Sequence, residues 1–114
     1  MSESDPLNLR EYAPRGQAGL SEMAWGYYAG GADDEITLRE NELAWERARL
    51  HYRILADVAN RSSATHVLGH EISLPVIAAP TAFHRMADDE GEVATVRATT
   101  GAGTAMVLSS LSTV

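Results

Sequence analysis

The chain has 114 residues, no cysteine and a net charge of −7. That length suits one modest domain, and 45% hydrophobic against 22% charged residues is a globular composition. The acidic balance, with basic residues scattered, argues against a phosphate backbone or anionic membrane as partner, and the missing cysteines exclude disulfides, thiolate catalysis and Cys-ligated zinc.

Residues 1–6, "MSESDP", carry no apolar core residue after Met1 and are expected to form a disordered tail. No basic region followed by an apolar stretch opens the chain, and no apolar run approaches the roughly 20 residues that span a bilayer. The expectation is a cytoplasmic protein without membrane or nucleic-acid partners. Residues 7–50 read as a helical segment. "LNLREYA" (7–13) predicts a short helix ended by Pro14, since proline removes a donor and clashes with the preceding turn. "LSEMAWGYYAGG" (20–31) predicts a second, capped by Ser21 and stopped by Gly30-Gly31, with Met23, Ala24, Tyr27 and Tyr28 on one side. A third spans about Asp34 to Leu50, where Ile36, Leu43 and Leu50 recur at seven-residue spacing and Arg47 and Arg49 suit a helix end.

The period then changes. Residues 51–75 read as lead-in strands: "HYRIL" (51–55), "THVLG" (65–69) and "EISLP" (71–75), with Gly69-His70 as the hairpin turn. Residues 76–114 hold two continuous apolar strands, Val76 to Ala79 and "AMVL" (105–108). Between them "DDEGEVATVRATTGAG" (88–103) predicts a helix with Asp89 and Glu92 as a capping box and Gly101 and Gly103 as its stop. Strand, helix, strand with both strands apolar throughout is the pattern of a parallel β-α-β unit buried on both faces. Two such strands do not stand alone, and the sequence stops soon after the second. The expectation is an α/β fold of which these residues are the opening part.

In parallel α/β folds the ligand sits at the carboxyl ends of the strands. Here those ends are Pro80-Thr81-Ala82 and Ser109-Ser110, small and hydroxyl-bearing, which suits a flat, polar-edged ligand approached by backbone. Serine and threonine are also common in any loop, so chemistry alone leaves both readings open.

The stretch "PVIAAPTAFHRMADDEGEVATVRATTGAGTAMVLSS" closely resembles the first β-α-β unit of the FMN-dependent 2-hydroxy acid oxidases and dehydrogenases. Upstream, "YYAGGADDEITLRENELAWERARL" and "ILADVANRSSATHVLGHEISLPV" resemble that family's N-terminal helical segment and lead-in hairpin. The resemblance covers roughly residues 20 to 114 in unbroken order. It implies the N-terminal part of a (β/α)8 TIM barrel with FMN at its carboxyl face. By the same resemblance Thr81 and Ala82 set their backbone against the reactive centre of the flavin, Pro80 shapes the turn, and Ser109 bonds the pyrimidine edge. Tyr27 matches the tyrosine whose hydroxyl binds the substrate carboxylate; read without the family, Tyr27 and Tyr28 are core aromatics of an amphipathic helix.

Several positions depart from the family pattern. Phe83 stands where many relatives carry methionine, and Leu111 where glycolate oxidase has a pocket tryptophan. The opened site implies a larger, aryl substrate of the mandelate type, with Phe83 and Leu111 among the substrate contacts. Ala82 resembles the oxidases more than the mandelate dehydrogenases, where glycine is typical, and points to oxygen as acceptor. Gly26 replaces the usual aspartate before the tyrosine pair.

His66 and His70 sit on hairpin-like sequence rather than one helix face, so no metal is expected there, and His51 reads as a surface or packing residue. His84 and Arg85 read equally as positive potential near the flavin or as a solvated loop. Asp88-Asp89-Glu90 reads as helix capping.

The implied reaction converts an L- or (S)-2-hydroxy acid to the 2-oxo acid. The family's catalytic histidine, its arginines and its flavin-supporting lysine lie in segments that these residues do not include, so no catalytic residue is expected here. The partners implied are the 2-hydroxy acid, the remainder of the same enzyme, and further copies in a homo-oligomer, a tetramer or larger. Three other readings stay open: a non-catalytic assembly module of the same fold, a dehydrogenase with another electron acceptor, and the chemistry of the flavin-dependent isopentenyl diphosphate isomerases. The N-terminal segment argues against the last.

Overall fold

The computed structural model describes residues 5–114, so most of the expected tail lies outside the described residues. Two compact units result, the first ending at Ile54 and the second running Leu55–Val114.

The first unit is helical. A single 3-10 turn, Leu9–Glu11, is capped by Asn8, whose side chain accepts from the Glu11 N–H at 3.3 Å. The helix α1 follows over Tyr12–Gly19. The expected helix over 7–13 is therefore wrong in position, and Pro14 does not end it. Pro14 is the third residue of α1, where its missing N–H is one of the donors that a helix start leaves unpaired anyway. Helix α2, Glu22–Ala29, matches expectation: the Ser21 hydroxyl accepts from the Ala24 N–H at 3.2 Å, and Gly30 closes it. Ala24 is fully buried while Met23 faces out, so the apolar side is narrower than the pattern implied. Trp25 packs over Gly16, whose added Cβ would meet the indole ring at 3.8 Å.

Helix α3 spans Ile36–Arg47 and is shorter than the sequence suggests. Leu50, the third of the spaced apolar residues, lies beyond it and is fully exposed. Glu35 stands before α3 with a left-handed backbone (φ 57°), and its carboxylate accepts from the Gly31 N–H at 3.0 Å. Arg10 reaches Glu46 at 2.6 Å and Glu42 at 3.3 Å, tying the 3-10 turn to α3 through exposed charges that contribute little energy.

The first unit ends without the expected strand at 51–55, a segment that is irregular and exposed and runs on into the second unit at Leu55. Strands β1 (Thr65–Val67) and β2 (His70–Ile72) pair antiparallel, with Thr65 opposite Ile72 and Val67 opposite His70. The turn is Leu68-Gly69, one residue earlier than expected. Both residues have positive φ (50° and 82°), as the tight hairpin turn matching strand twist requires. Ile72 is buried.

Next come the two apolar segments, joined in parallel at Ala78↔Met106. The Ala78 N–H donates to Ala105 O at 3.0 Å and the Val107 N–H to Ala78 O at 2.9 Å. The ladder goes no further because Val76 turns its N–H to Leu74 O at 2.8 Å, while Val76 O is taken by the Thr104 hydroxyl. Helix α4, Glu92–Gly101, connects the segments and ends as predicted. Thr104 N bonds Thr99 O at 2.9 Å and Gly103 N bonds Thr100 O at 3.0 Å, the paired bonds of a Schellman stop, with Gly103 left-handed at φ 71°. Its start differs. Gly91 is the N-cap with no side-chain cap bond, and the Asp89–Glu92 capping box does not form, because the Glu92 carboxylate is engaged elsewhere. Among the described residues no helix is long and apolar enough to cross a membrane.

Candidate functional site

The parallel bridge fixes where the second unit's strand ends lie. Thr81 stands three residues beyond Ala78, and Ser109 three beyond its partner Met106, so the two hydroxyl residues leave neighbouring segments at one level. Two residues further on, the Phe83 N–H donates to Leu111 O at 3.1 Å, which keeps that register beyond the bridge. The structure thus brings Pro80, Thr81, Ala82, Phe83, Ser109 and Leu111 to one end of the parallel pair.

Their local chemistry suits a flat ligand. Thr81 is exposed, and its N–H and hydroxyl have no partner among the described residues. Ser109 Oγ accepts from the Leu111 N–H at 3.1 Å, which leaves the serine O–H to donate. Pro80 and Ala82 add no bulk. Leu111 is 54% exposed and presents an apolar wall. Phe83 is in the left-handed region at φ 58°, ψ 44°, a conformation that costs a bulky residue about 1–2 kcal/mol. Its bond to Leu111 and the Met86 N–H donated to Phe83 O at 2.8 Å hold it there. Strained residues of this kind gather at ligand sites.

Tyr27 belongs to the first unit, on α2, and is 49% exposed. Its ring meets Tyr28 edge to face, with centroids 5.3 Å apart. Tyr28 is half-buried.

One residue that the sequence reading assigned only to capping stands out. Glu92 is 1% exposed, and its carboxylate accepts from the Thr113 N–H at 2.9 Å, the Thr113 hydroxyl at 2.8 Å and the His84 N–H at 3.3 Å. Burial by itself pushes its pKa up. The hydrogen bonds from Thr113, its own N–H and that of His84 outweigh this and hold the carboxyl at about 2. Thr113 Oγ1 also accepts from the Arg85 N–H at 3.1 Å. No local spacing marks Glu92 for this role, because its donors lie 8 and 21 residues away.

His84 is not a solvated loop residue. Its Nδ1 meets Thr95 Oγ1 at 3.1 Å, and its buried Nε2 has no partner among the described residues. Arg85 is exposed, with its side chain over Gly91, where an added Cβ would meet Arg85 Cγ at 2.8 Å. In the acidic cluster Asp88 accepts from the Glu90 N–H at 2.8 Å and Glu90 pairs with Arg97 at 2.6 Å, so it organises the loop before α4 rather than capping that helix. His66 faces Glu71 in the hairpin and His70 faces Val67.

Comparison with known proteins sharpens this picture. The family described as FMN-dependent dehydrogenase matches residues 16–114. The chain is 50% identical over 110 residues to the L-lactate oxidase of Nostoc sp., which covers 96% of this chain and 30% of that protein. Among solved structures, the lactate oxidase of Pediococcus acidilactici superposes with a TM-score of 0.89 at 29% identity, over 99% of this chain and 32% of the other. A soluble mutant of the membrane-associated (S)-mandelate dehydrogenase from Pseudomonas putida gives 0.87 at 33% identity, over 96% and 32%. The chain therefore spans about 30% of the length of the curated relatives it matches, and its fold is the N-terminal part of the (β/α)8 barrel.

Proposed function

This chain belongs to the FMN-dependent dehydrogenase family, and from that premise we propose that the protein oxidises an L- or (S)-2-hydroxy acid to the 2-oxo acid. The observation that carries this reading is the pair of strand ends, Pro80-Thr81-Ala82 and Ser109, set side by side with the Thr81 N–H and hydroxyl and the Ser109 O–H open to a ligand among the described residues. These residues fit FMN. Small side chains let the backbone of Thr81 and Ala82 approach a ring face closely, Pro80 shapes the turn, and the Ser109 O–H suits a heterocycle edge rich in acceptors. When bound, FMN supplies the two-electron acceptor.

The chain's own residues bind and orient. The Tyr27 hydroxyl donates to the substrate carboxylate, a charge-assisted bond worth more than a neutral one. Phe83 and Leu111 line the substrate's side-chain pocket. The base and the cationic groups that also hold the carboxylate come from parts of the protein outside these residues. Leucine at 111 leaves room for an aryl group, so the substrate is of the mandelate type. Alanine at 82 favours oxygen as the electron acceptor. The protein is cytoplasmic and works as a homo-oligomer, a tetramer or larger, which sedimentation and cell fractionation would test.

The decisive experiment uses the full-length gene product. A visible spectrum with oxidised-flavin bands should bleach anaerobically on adding (S)-mandelate, more readily than with glycolate, and recover on admitting oxygen. A colourless protein, or a yellow one that no 2-hydroxy acid bleaches, would overturn the reading.

A further inference from the structure

Two loops leave the parallel bridge, residues 79–91 and 108–114, and beyond Val107 the Phe83 N–H donates across to Leu111 O. Side chains join the loops as well. The Glu92 carboxylate takes the His84 N–H from the first loop and both the N–H and hydroxyl of Thr113 from the second. The Thr113 hydroxyl donates to Glu92 while accepting from the Arg85 N–H, so one acceptor-only group orients the whole set. We propose that Glu92 is a positioning residue for the cofactor site, clamping the two strand-end loops and so fixing the spacing of Thr81-Ala82 and Ser109. This rests on the function proposed above.

The chemistry requires a carboxylate. Three donors converge on it, and it is buried at 1% exposure, so any group that donates there leaves the Thr113 O–H proton without an acceptor. Gly91 belongs to the same device. Its φ of 56° with ψ of −137° is a glycine conformation, and it carries the chain past the Arg85 side chain into α4, setting Glu92 between the loops.

The test compares Glu92→Gln, Thr113→Val and Thr113→Ser in the full-length protein, with Glu71→Gln on the hairpin as an exposed control. Two readouts are taken: FMN affinity of the apoprotein by flavin fluorescence quenching, and amide hydrogen exchange of the apoprotein over residues 83–85 and 111–113. Glu92→Gln and Thr113→Val are expected to weaken FMN binding about tenfold and to speed exchange in both loops together. Thr113→Ser, which keeps the hydroxyl, and Glu71→Gln should match the wild type. Should Glu92→Gln fail to fold, the Val and Ser pair at 113 decides alone. FMN affinity within twofold of wild type, or faster exchange in one loop without the other, overturns the proposal. A wild-type protein that takes up no FMN overturns the functional reading instead. Coupled exchange of the two loops would still support the clamp.

Discussion

Gly103→Ala offers a sharp check on how the second unit holds together. Gly103 has φ 71° at the end of α4, and a Cβ there would lie 2.3 Å from Ser73 Oγ and 3.1 Å from Ser73 Cβ. The left-handed backbone costs alanine about 1–2 kcal/mol, offset by about 0.4–1 kcal/mol because alanine restricts the unfolded chain. The Ser73 hydroxyl must also move. It donates to Ala102 O and Gly103 O, both at 2.9 Å, and losing that attachment costs about 1–2 kcal/mol more. The sum is about 2–3 kcal/mol. Gly69→Ala is the control: φ is 82° there as well, but a Cβ meets nothing within 4 Å, so only the backbone part applies, about 1 kcal/mol. Equilibrium urea unfolding of the full-length apoprotein gives both values. Equal losses for the two variants would refute the Ser73 contribution, and no loss at Gly103 would refute the Schellman geometry itself.

Three further outcomes follow from the site. The Glu92 carboxyl sits at about 2 when folded against an ordinary 4.5, so the fold favours its ionised form; that stability is complete above 4.5 and is lost as pH falls towards 2. Urea midpoints of wild type and Glu92→Gln should therefore converge on acidification from about pH 5 to about pH 3, and a constant gap would refute the depressed value. Tyr27→Phe removes a charge-assisted hydrogen bond and should raise KM about 10- to 100-fold with a smaller change in kcat, whereas an unchanged KM would return Tyr27 to packing alone. Leu111→Trp should lower the mandelate-to-glycolate ratio of kcat/KM about tenfold, and an unchanged ratio would show that this position does not face the substrate.

What the sequence made legible follows the range of the forces involved. Ser21 and Gly103 are legible because a cap and a left-handed stop are decided within four or five residues. Pro14 was misread because the rule against proline spares the first turn, and where that turn begins depends on Asn8 and Glu11 capping each other upstream. "HYRIL" has strand-like residues but no partner strand in its unit, and propensity without pairing makes no ladder. The hairpin turn fell one residue early because Leu68 accepts a positive φ that composition assigns to glycine alone.

Glu92 marks the opposite limit. Its spacing from Asp89 satisfies the local capping rule, yet partly buried donors eight and twenty-one residues away outcompete a helix end open to water. The apolar segments show the same limit from the other side. Val76, Ile77, Val107 and Leu108 are exposed in this unit, although an uninterrupted apolar run is the pattern of a strand covered on both faces. In a complete (β/α)8 barrel such strands are covered on both faces. The strand ends differ, because bonds within the unit already set them: Phe83 to Leu111, and Glu92 to both loops. A site whose first two loops are locked by their own side chains can keep its spacing while the rest of the barrel closes around it.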